Sequence, residues 1–210
     1  MKALKLIGLT GGIASGKSTV AKWLSEAGFL IVNLDDLGRK LTDSNPSVIQ
    51  AIDRLCGGGV LKNGKLDRAK ARAIVFKHPE LKKQLEAILH PLILAEFLKI
   101  AQSAEQQGKD AIVCEAALLF ESGFYKKCDT VILVTVDPES QKARVLNRDA
   151  ISTELAERMI NSQWPDAKKE KQSHYTLRND GSLETLKKQV IELIPKLLSF
   201  EALQPRQGSS

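Results

Sequence analysis

Three features of the sequence predict an α/β fold on a five-stranded parallel sheet. Five apolar runs, residues 4–10, 29–34, 111–115, 130–136 and 175–178, have the length and bounds of strands. Runs such as Ile132-Leu133-Val134 are continuous rather than alternating, as expected for strands buried on both faces of a parallel sheet. Helical patterns separate the runs, which gives the βα alternation of that class. The third feature is the turn after the first strand, Gly11-Gly12-Ile13-Ala14-Ser15-Gly16-Lys17-Ser18, which leads into a helix over residues 18–27.

That turn fits G-x-x-x-x-G-K-[ST], the P-loop, in the strand–loop–helix order the motif requires. Glycines allow positive φ, so consecutive amides can face one anion. Lys17 adds a compact charge that reaches β- and γ-phosphates. The Ser18 hydroxyl is a ligand for Mg²⁺, and the helix N-terminus starting at Ser18 and Thr19 favours negative charge. The segment from Gly11 to Thr19 therefore predicts binding of a nucleoside triphosphate with Mg²⁺.

At 210 residues the chain suits one substantial core with lobes, not two large domains. Its 43% hydrophobic and 27% charged content are ordinary for a globular protein. No run approaches the length of a membrane span, and Lys5 followed by the P-loop is not a signal-peptide layout, so a cytoplasmic protein is expected. Net charge is +6, but the basic residues are scattered and aromatics reach only 5%. A polyphosphate ligand is expected rather than nucleic acid. Cys56, Cys114 and Cys128 are odd in number and widely spaced, which predicts incidental thiols rather than disulfide or zinc chemistry.

About 75 residues separate the second and third strands, far more than a βα crossover needs. They read as helices at 36–43, 47–55, 68–76 and 80–106, with Pro91 interrupting the last, and with loops at Gly57-Gly58-Gly59 and Asn63-Gly64. A second excursion, 138–173, carries Arg144 and Arg148 four residues apart on one helix face. The two excursions predict a substrate lobe and a lid. Residues 204–210 read as a disordered tail, with Gly208-Ser209-Ser210 as a cloning remnant.

Among chemistry-bearing residues, Asp35 ends the second strand at the sheet edge where α/β proteins place ligands, and could accept a hydroxyl proton. Capping the next helix is the alternative for Asp35 and the favoured role of Asp36. Glu115, ending the third strand, reads equally as a Mg²⁺ helper or a surface carboxylate. Arg144 and Arg148 offer planar forks for phosphate oxygens or are ordinary helix charges. His90, before Pro91, reads as a structural residue.

With these residues the chain resembles the dephospho-coenzyme A kinase family over nearly its whole length. The resemblance is carried by Leu9-Thr10-Gly11-Gly12-Ile13, Asp35 with Arg39, Gly64-Lys65-Leu66-Asp67-Arg68, Val75-Phe76 and Leu85-Glu86-Ala87-Ile88-Leu89-His90-Pro91. It continues through Leu118-Leu119-Phe120-Glu121, Gln141 with Arg144 and Arg148, Gln163, and Asn179-Asp180-Gly181. It implies an ATP-dependent kinase that phosphorylates the ribose 3′-hydroxyl of dephospho-CoA, the last step of coenzyme A synthesis. It also implies a core of residues 1–35, 109–137 and 174–200, a helical CoA-binding lobe of about 36–108, and a lid of about 138–173. In that scheme Lys17, Asp35, Arg144 and Arg148 are catalytic, and Asn179 joins the P-loop in binding ATP. Arg39, Arg68, Glu86, His90, Leu118, Leu119 and Glu121 bind the acceptor. The partners expected are ATP and dephospho-CoA, in a monomer or weak homo-oligomer. Another nucleoside or nucleotide kinase, or a nucleotide-dependent switch, is the alternative. The sequence departs from the family pattern at Asn33, where an acid is usual, at Ala117 for proline, and at Ser173-His174 for Ala-Asp.

Overall fold

The computed structural model describes residues 4–199. These divide into two compact units, one formed by the chain up to Val32 and from Ala104 on, the other by Asn33–Ser103. The expected tail at 204–210 lies outside the described residues.

The first unit is a sheet covered by helices. Its strands are β1 (Lys5–Gly11), β2 (Leu30–Asn33), β5 (Ala111–Glu115), β6 (Thr130–Thr135) and β7 (Tyr175–Arg178), in the order β2-β5-β1-β6-β7. β1 pairs in parallel with both β5 and β6, and β6 with β7. β1 is thus central, and Ile7 and Leu9 are fully buried. Every residue of β5 and β6 is buried, the reason their sequences are continuous apolar runs. Helix α1 (Lys17–Glu26) contributes Val20, Ala21 and Leu24 to this core, and α9 (Leu183–Leu198) contributes Leu186, Val190, Leu193 and Leu197. Between β6 and β7 lie α6 (Pro138–Asp149), α7 (Thr153–Asn161) and α8 (Asp166–Glu170). Gly11 allows the close approach that ends β1: a Cβ there would stand 2.4 Å from the Val134 carbonyl oxygen, which is backbone and cannot yield.

The second unit is mainly helical: α2 (Leu34–Ser44), α3 (Pro46–Leu55), α4 (Arg68–Lys77) and the 28-residue α5 (Pro79–Gln106). Its core joins Val48, Ile52, Val60 and Ala71, with Leu85, Leu89 and Leu92 of α5 packed against them. Asn45 and Asp67 cap α3 and α4 by accepting from first-turn amides.

Three sequence expectations need correction. Asn63-Gly64, read as a loop, turns a small antiparallel hairpin, β3 (Leu61–Lys62) with β4 (Lys65–Leu66); φ is positive at both Asn63 and Gly64, as a type I′ turn requires. Pro91 does not interrupt α5, which runs through it. That helix also reaches the length and hydropathy of a membrane span, with a best window of mean hydropathy 1.2, contrary to the expectation that no run does. Two of the charges on it, Glu96 and Lys99, pair with each other at 2.7 Å. Cys114 and Cys128 are free thiols whose sulfurs lie 3.5 Å apart. That contact, followed by burial, pushes the Cys128 thiol well above its ordinary range.

Candidate active site

The P-loop lies between the end of β1 and the start of α1. Ala14 (φ 58) and Gly16 (φ 96) are both left-handed, which lets neighbouring amides converge. For alanine this costs on the order of 1 kcal/mol, so neighbouring contacts must hold it. At Gly16 a Cβ would stand 2.3 Å from Asn179 Nδ2, so glycine is required twice over.

Lys17 Nζ stands 3.6 Å from Glu115 Oε1, and Ser18 Oγ donates to the same oxygen at 3.5 Å. Glu115 is only 6% exposed, so it is not a surface carboxylate. It ends β5, beside β1 in the sheet, opposite Leu9. In sequence Glu115 reads equally as a Mg²⁺ helper or a surface carboxylate; a charged residue closing an otherwise apolar strand next to the P-loop strand is the signal for the first.

A cavity of about 490 Å³ opens over the loop, lined by residues 12–18 with Ala117, Arg144, Arg148 and Gln163. The two arginines of the expected lid therefore face the same space as Lys17. Arg144 Nη2 donates to the Asn179 carbonyl at 3.0 Å, and Asn179 Nδ2 donates to the Ser15 carbonyl at 2.8 Å. Arg148 makes a bidentate pair with Asp149, at 2.7 and 2.8 Å; this holds the guanidinium charged and pulls the Asp149 carboxyl down.

Three residues not placed in the site by sequence also touch this region. Gln163 Oε1 accepts from the Ile13 N–H, and Gln141 Nε2 donates to the Ile13 carbonyl, both at 2.9 Å. Lys169 is fully buried, its Nζ 3.8 Å from Glu121 Oε1. Burial chiefly lowers its pKa, the carboxylates of Glu121 and Asp166 oppose that, and the like charge of Lys17 adds to the lowering. A buried lysine in a polar segment leaves no periodic trace, so the sequence carried no signal for it.

Glu121 itself accepts the Trp164 N–H at 2.7 Å. Leu118 is 36% exposed, whereas Leu119 is fully buried and would meet a Cβ at Gly8. In the second unit Asp35 stands exposed in the first turn of α2. The cap of α2 is neither Asp35 nor Asp36 but Asn33, whose side chain accepts the Asp36 N–H at 3.0 Å. Arg39 stands 3.8 Å from Asp36 Oδ1. Arg68 ties α4 to α2, bonding Asp43 Oδ1 and the Arg39 carbonyl at 2.8 Å each. Glu86 lies 3.8 Å from Lys82, and His90 is half-buried on α5.

A P-loop with its lysine and serine on one buried carboxylate, under two arginines, on a β2-β5-β1-β6-β7 sheet, defines a P-loop phosphotransferase. The same fold occurs in shikimate kinase from Acinetobacter baumannii (17% identity, TM-score 0.53, 97% of each chain). The family is narrower: the model of dephospho-CoA kinase matches residues 5–185, and the chain belongs to that family. The Fusobacterium nucleatum dephospho-CoA kinase is 38% identical over 189 residues, 90% of this chain and 96% of its own. The Campylobacter jejuni dephospho-CoA kinase structure matches with TM-score 0.70 and 29% identity, over 91% and 96% of the two chains. A Thermus thermophilus protein, TT1252, matches with TM-score 0.81 and 31% identity, over 94% and 100%. The activity is that of the family, ATP-dependent phosphorylation of dephospho-CoA to coenzyme A.

Proposed function

We propose that the P-loop cavity of this chain holds the triphosphate of ATP and that Asn33–Ser103 receives dephospho-CoA, the phosphoryl group passing to the ribose 3′-hydroxyl. The observation that carries this reading is the convergence of Lys17 and Ser18 on Glu115 Oε1, at 3.6 and 3.5 Å, in the cavity that Arg144 and Arg148 also line. Lys17 and the loop amides neutralise β- and γ-phosphate oxygens. The Ser18 hydroxyl and the Glu115 carboxylate are hard oxygen donors close together, a set that suits Mg²⁺. Bound there, Mg²⁺ would neutralise charge on the β- and γ-phosphates. Arg144 and Arg148 stabilise charge that develops on the transferring group, Arg144 being oriented by the Asn179 carbonyl.

Asp35 takes the proton of the 3′-hydroxyl. Its exposure and its place in the first turn of α2, directly after β2, leave the carboxylate available to an acceptor. Arg39, Arg68, Glu86 and His90 form the acceptor side of the second unit. Leu118 and Glu121 serve acceptor binding from the segment after β5, where buried Leu119 acts by packing. The enzyme works in the cytoplasm as a monomer or weak homo-oligomer, without nucleic acid or membrane as partner.

The test is ADP release in a coupled assay, with dephospho-CoA compared against a panel of nucleosides and nucleotides. Turnover with dephospho-CoA well above every other acceptor is expected. Preference for an ordinary nucleoside would replace the acceptor assignment while leaving the P-loop role intact.

A further inference from the structure

Three neutral side chains from the segment between β6 and α9 hold the outer backbone of the P-loop. Gln163 accepts the Ile13 N–H, Gln141 donates to the Ile13 carbonyl, and Asn179 donates to the Ser15 carbonyl. A trans peptide is planar, so a carbonyl and the next residue's N–H point in opposite directions. Fixing the Ile13 carbonyl on Gln141 therefore turns the Ala14 N–H the other way. Fixing the Ser15 carbonyl on Asn179 does the same for the Gly16 N–H. Neither amide makes a hydrogen bond within the described residues. Between the two gripped carbonyls sits Ala14, a residue with a Cβ held at φ 58.

Gln163 is itself anchored. The next residue, Trp164, donates its N–H to Glu121 Oε1 at 2.7 Å, and the ammonium of buried Lys169 stands 3.8 Å from that oxygen. The Trp164 ring stacks on Phe120, with centroids 6.2 Å apart and planes 7° apart. Lys168 Nζ lies 3.3 Å from the indole centroid on Trp164. Gln141 is 8% exposed and projects from the first turns of α6.

We propose that Gln141 and Gln163 are positioning residues, which hold the two successive peptides that flank Ile13, keep Ala14 left-handed and so aim the Ala14 N–H at the nucleotide phosphates. This rests on the P-loop being the ATP site. Each glutamine contributes one hydrogen bond to the backbone of the loop, so losing one weakens ATP binding by about three- to tenfold.

The experiment measures ATP affinity by calorimetry and both KM values for Gln141→Met, which keeps length and adds no charge. Kd and KM for ATP should rise about three- to tenfold. KM for dephospho-CoA should not change, and the thermal midpoint should stay within a few degrees. The decisive arm repeats the substitution in an Ala14→Gly background. Glycine adopts left-handed φ without a Cβ penalty, so the grip has less to enforce and the cost of Gln141→Met should shrink. A cost as large or larger in that background, or a loss shared equally by dephospho-CoA, would overturn the proposal. If Gln141→Met fails to fold, Gln163→Met in the same two backgrounds makes the same measurement. Wild-type protein that does not bind ATP at all would refute the P-loop assignment instead, so the two failures are distinguishable.

Discussion

Lys17 is held over the P-loop before nucleotide arrives, because Glu115 Oε1 lies 3.6 Å from its ammonium and Glu115 is buried. Lys17→Ala should lower kcat by about 10²–10³, the usual worth of one preorganised charge contact, with the fold retained; activity within about tenfold of wild type would remove the transition-state role. Arg144 is tied to the Asn179 carbonyl and Arg148 to the Asp149 carboxylate, and both line the P-loop cavity. Replacing either by Lys keeps charge and loses the planar fork, so kcat should fall in both variants with KM for dephospho-CoA little changed. Unchanged kcat in both would return them to the class of surface helix charges. Asp35→Asn should cost kcat about 10²–10⁴, nearer the low end because phosphoryl transfer asks little of a base, with ATP binding retained. Full activity would leave Asp35 without a catalytic part. At this scale the P-loop was legible because its spacing is local in sequence. The contact of Gln163, the burial of Lys169 and the depth of Glu115 were not, because contacts such as that from Ile13 to Gln163 span 150 residues and have no periodicity.

The strands and helices were mostly legible, because the sheet is buried on both faces and its strands read as continuous apolar runs. The elements that were missed depend on turn chemistry and tertiary context. β3 and β4 have two residues each, too short to show alternation, and only Asn63-Gly64 marked them. Pro91 breaks the pattern in sequence, yet α5 runs through it. Asn33, the last residue of β2, caps α2 through the Asp36 amide. Asn33→Asp should be tolerated, since aspartate caps as well, whereas Asn33→Ala should cost about 1 kcal/mol of stability. Equal stability of the two variants in urea unfolding would show that the cap is not what Asn33 supplies. In α4, Arg68 bonds to Asp43 and to the Arg39 carbonyl. Arg68→Ala should therefore weaken dephospho-CoA binding and leave ATP affinity unchanged. A selective loss of ATP affinity in calorimetry would reverse the assignment of the helical unit to the acceptor.

Across the whole molecule, the order β2-β5-β1-β6-β7 makes chain segments far apart in sequence meet at β6, and His174 closes one such junction. Its N–H donates to the Val131 carbonyl at 2.9 Å, and its Nδ1 accepts the Val131 N–H at 3.0 Å, which joins the entry to β7 with the start of β6. That acceptor exists only while the ring is neutral. Burial chiefly, and then the charge of Lys5, lowers the His174 pKa from its ordinary 6.5. The folded state therefore binds this proton less readily than the unfolded chain does. The stabilisation is present above about pH 6.5 and is lost as pH falls through the lowered folded value. Asp137, Asp149, Glu154 and Glu184 are also lowered, but from 3.8 or 4.5, so their contribution is lost at more acid pH than the window of about 7.5 to 5 that tests histidine, and Asp166, raised by burial, acts in the opposite sense. Thermal unfolding across that window should show the wild-type midpoint falling with acidification. His174→Ala should start lower, because it leaves the Val131 N–H without its acceptor, and should fall less steeply. Parallel pH slopes for the two proteins would show that His174 does not set the acid sensitivity of the fold.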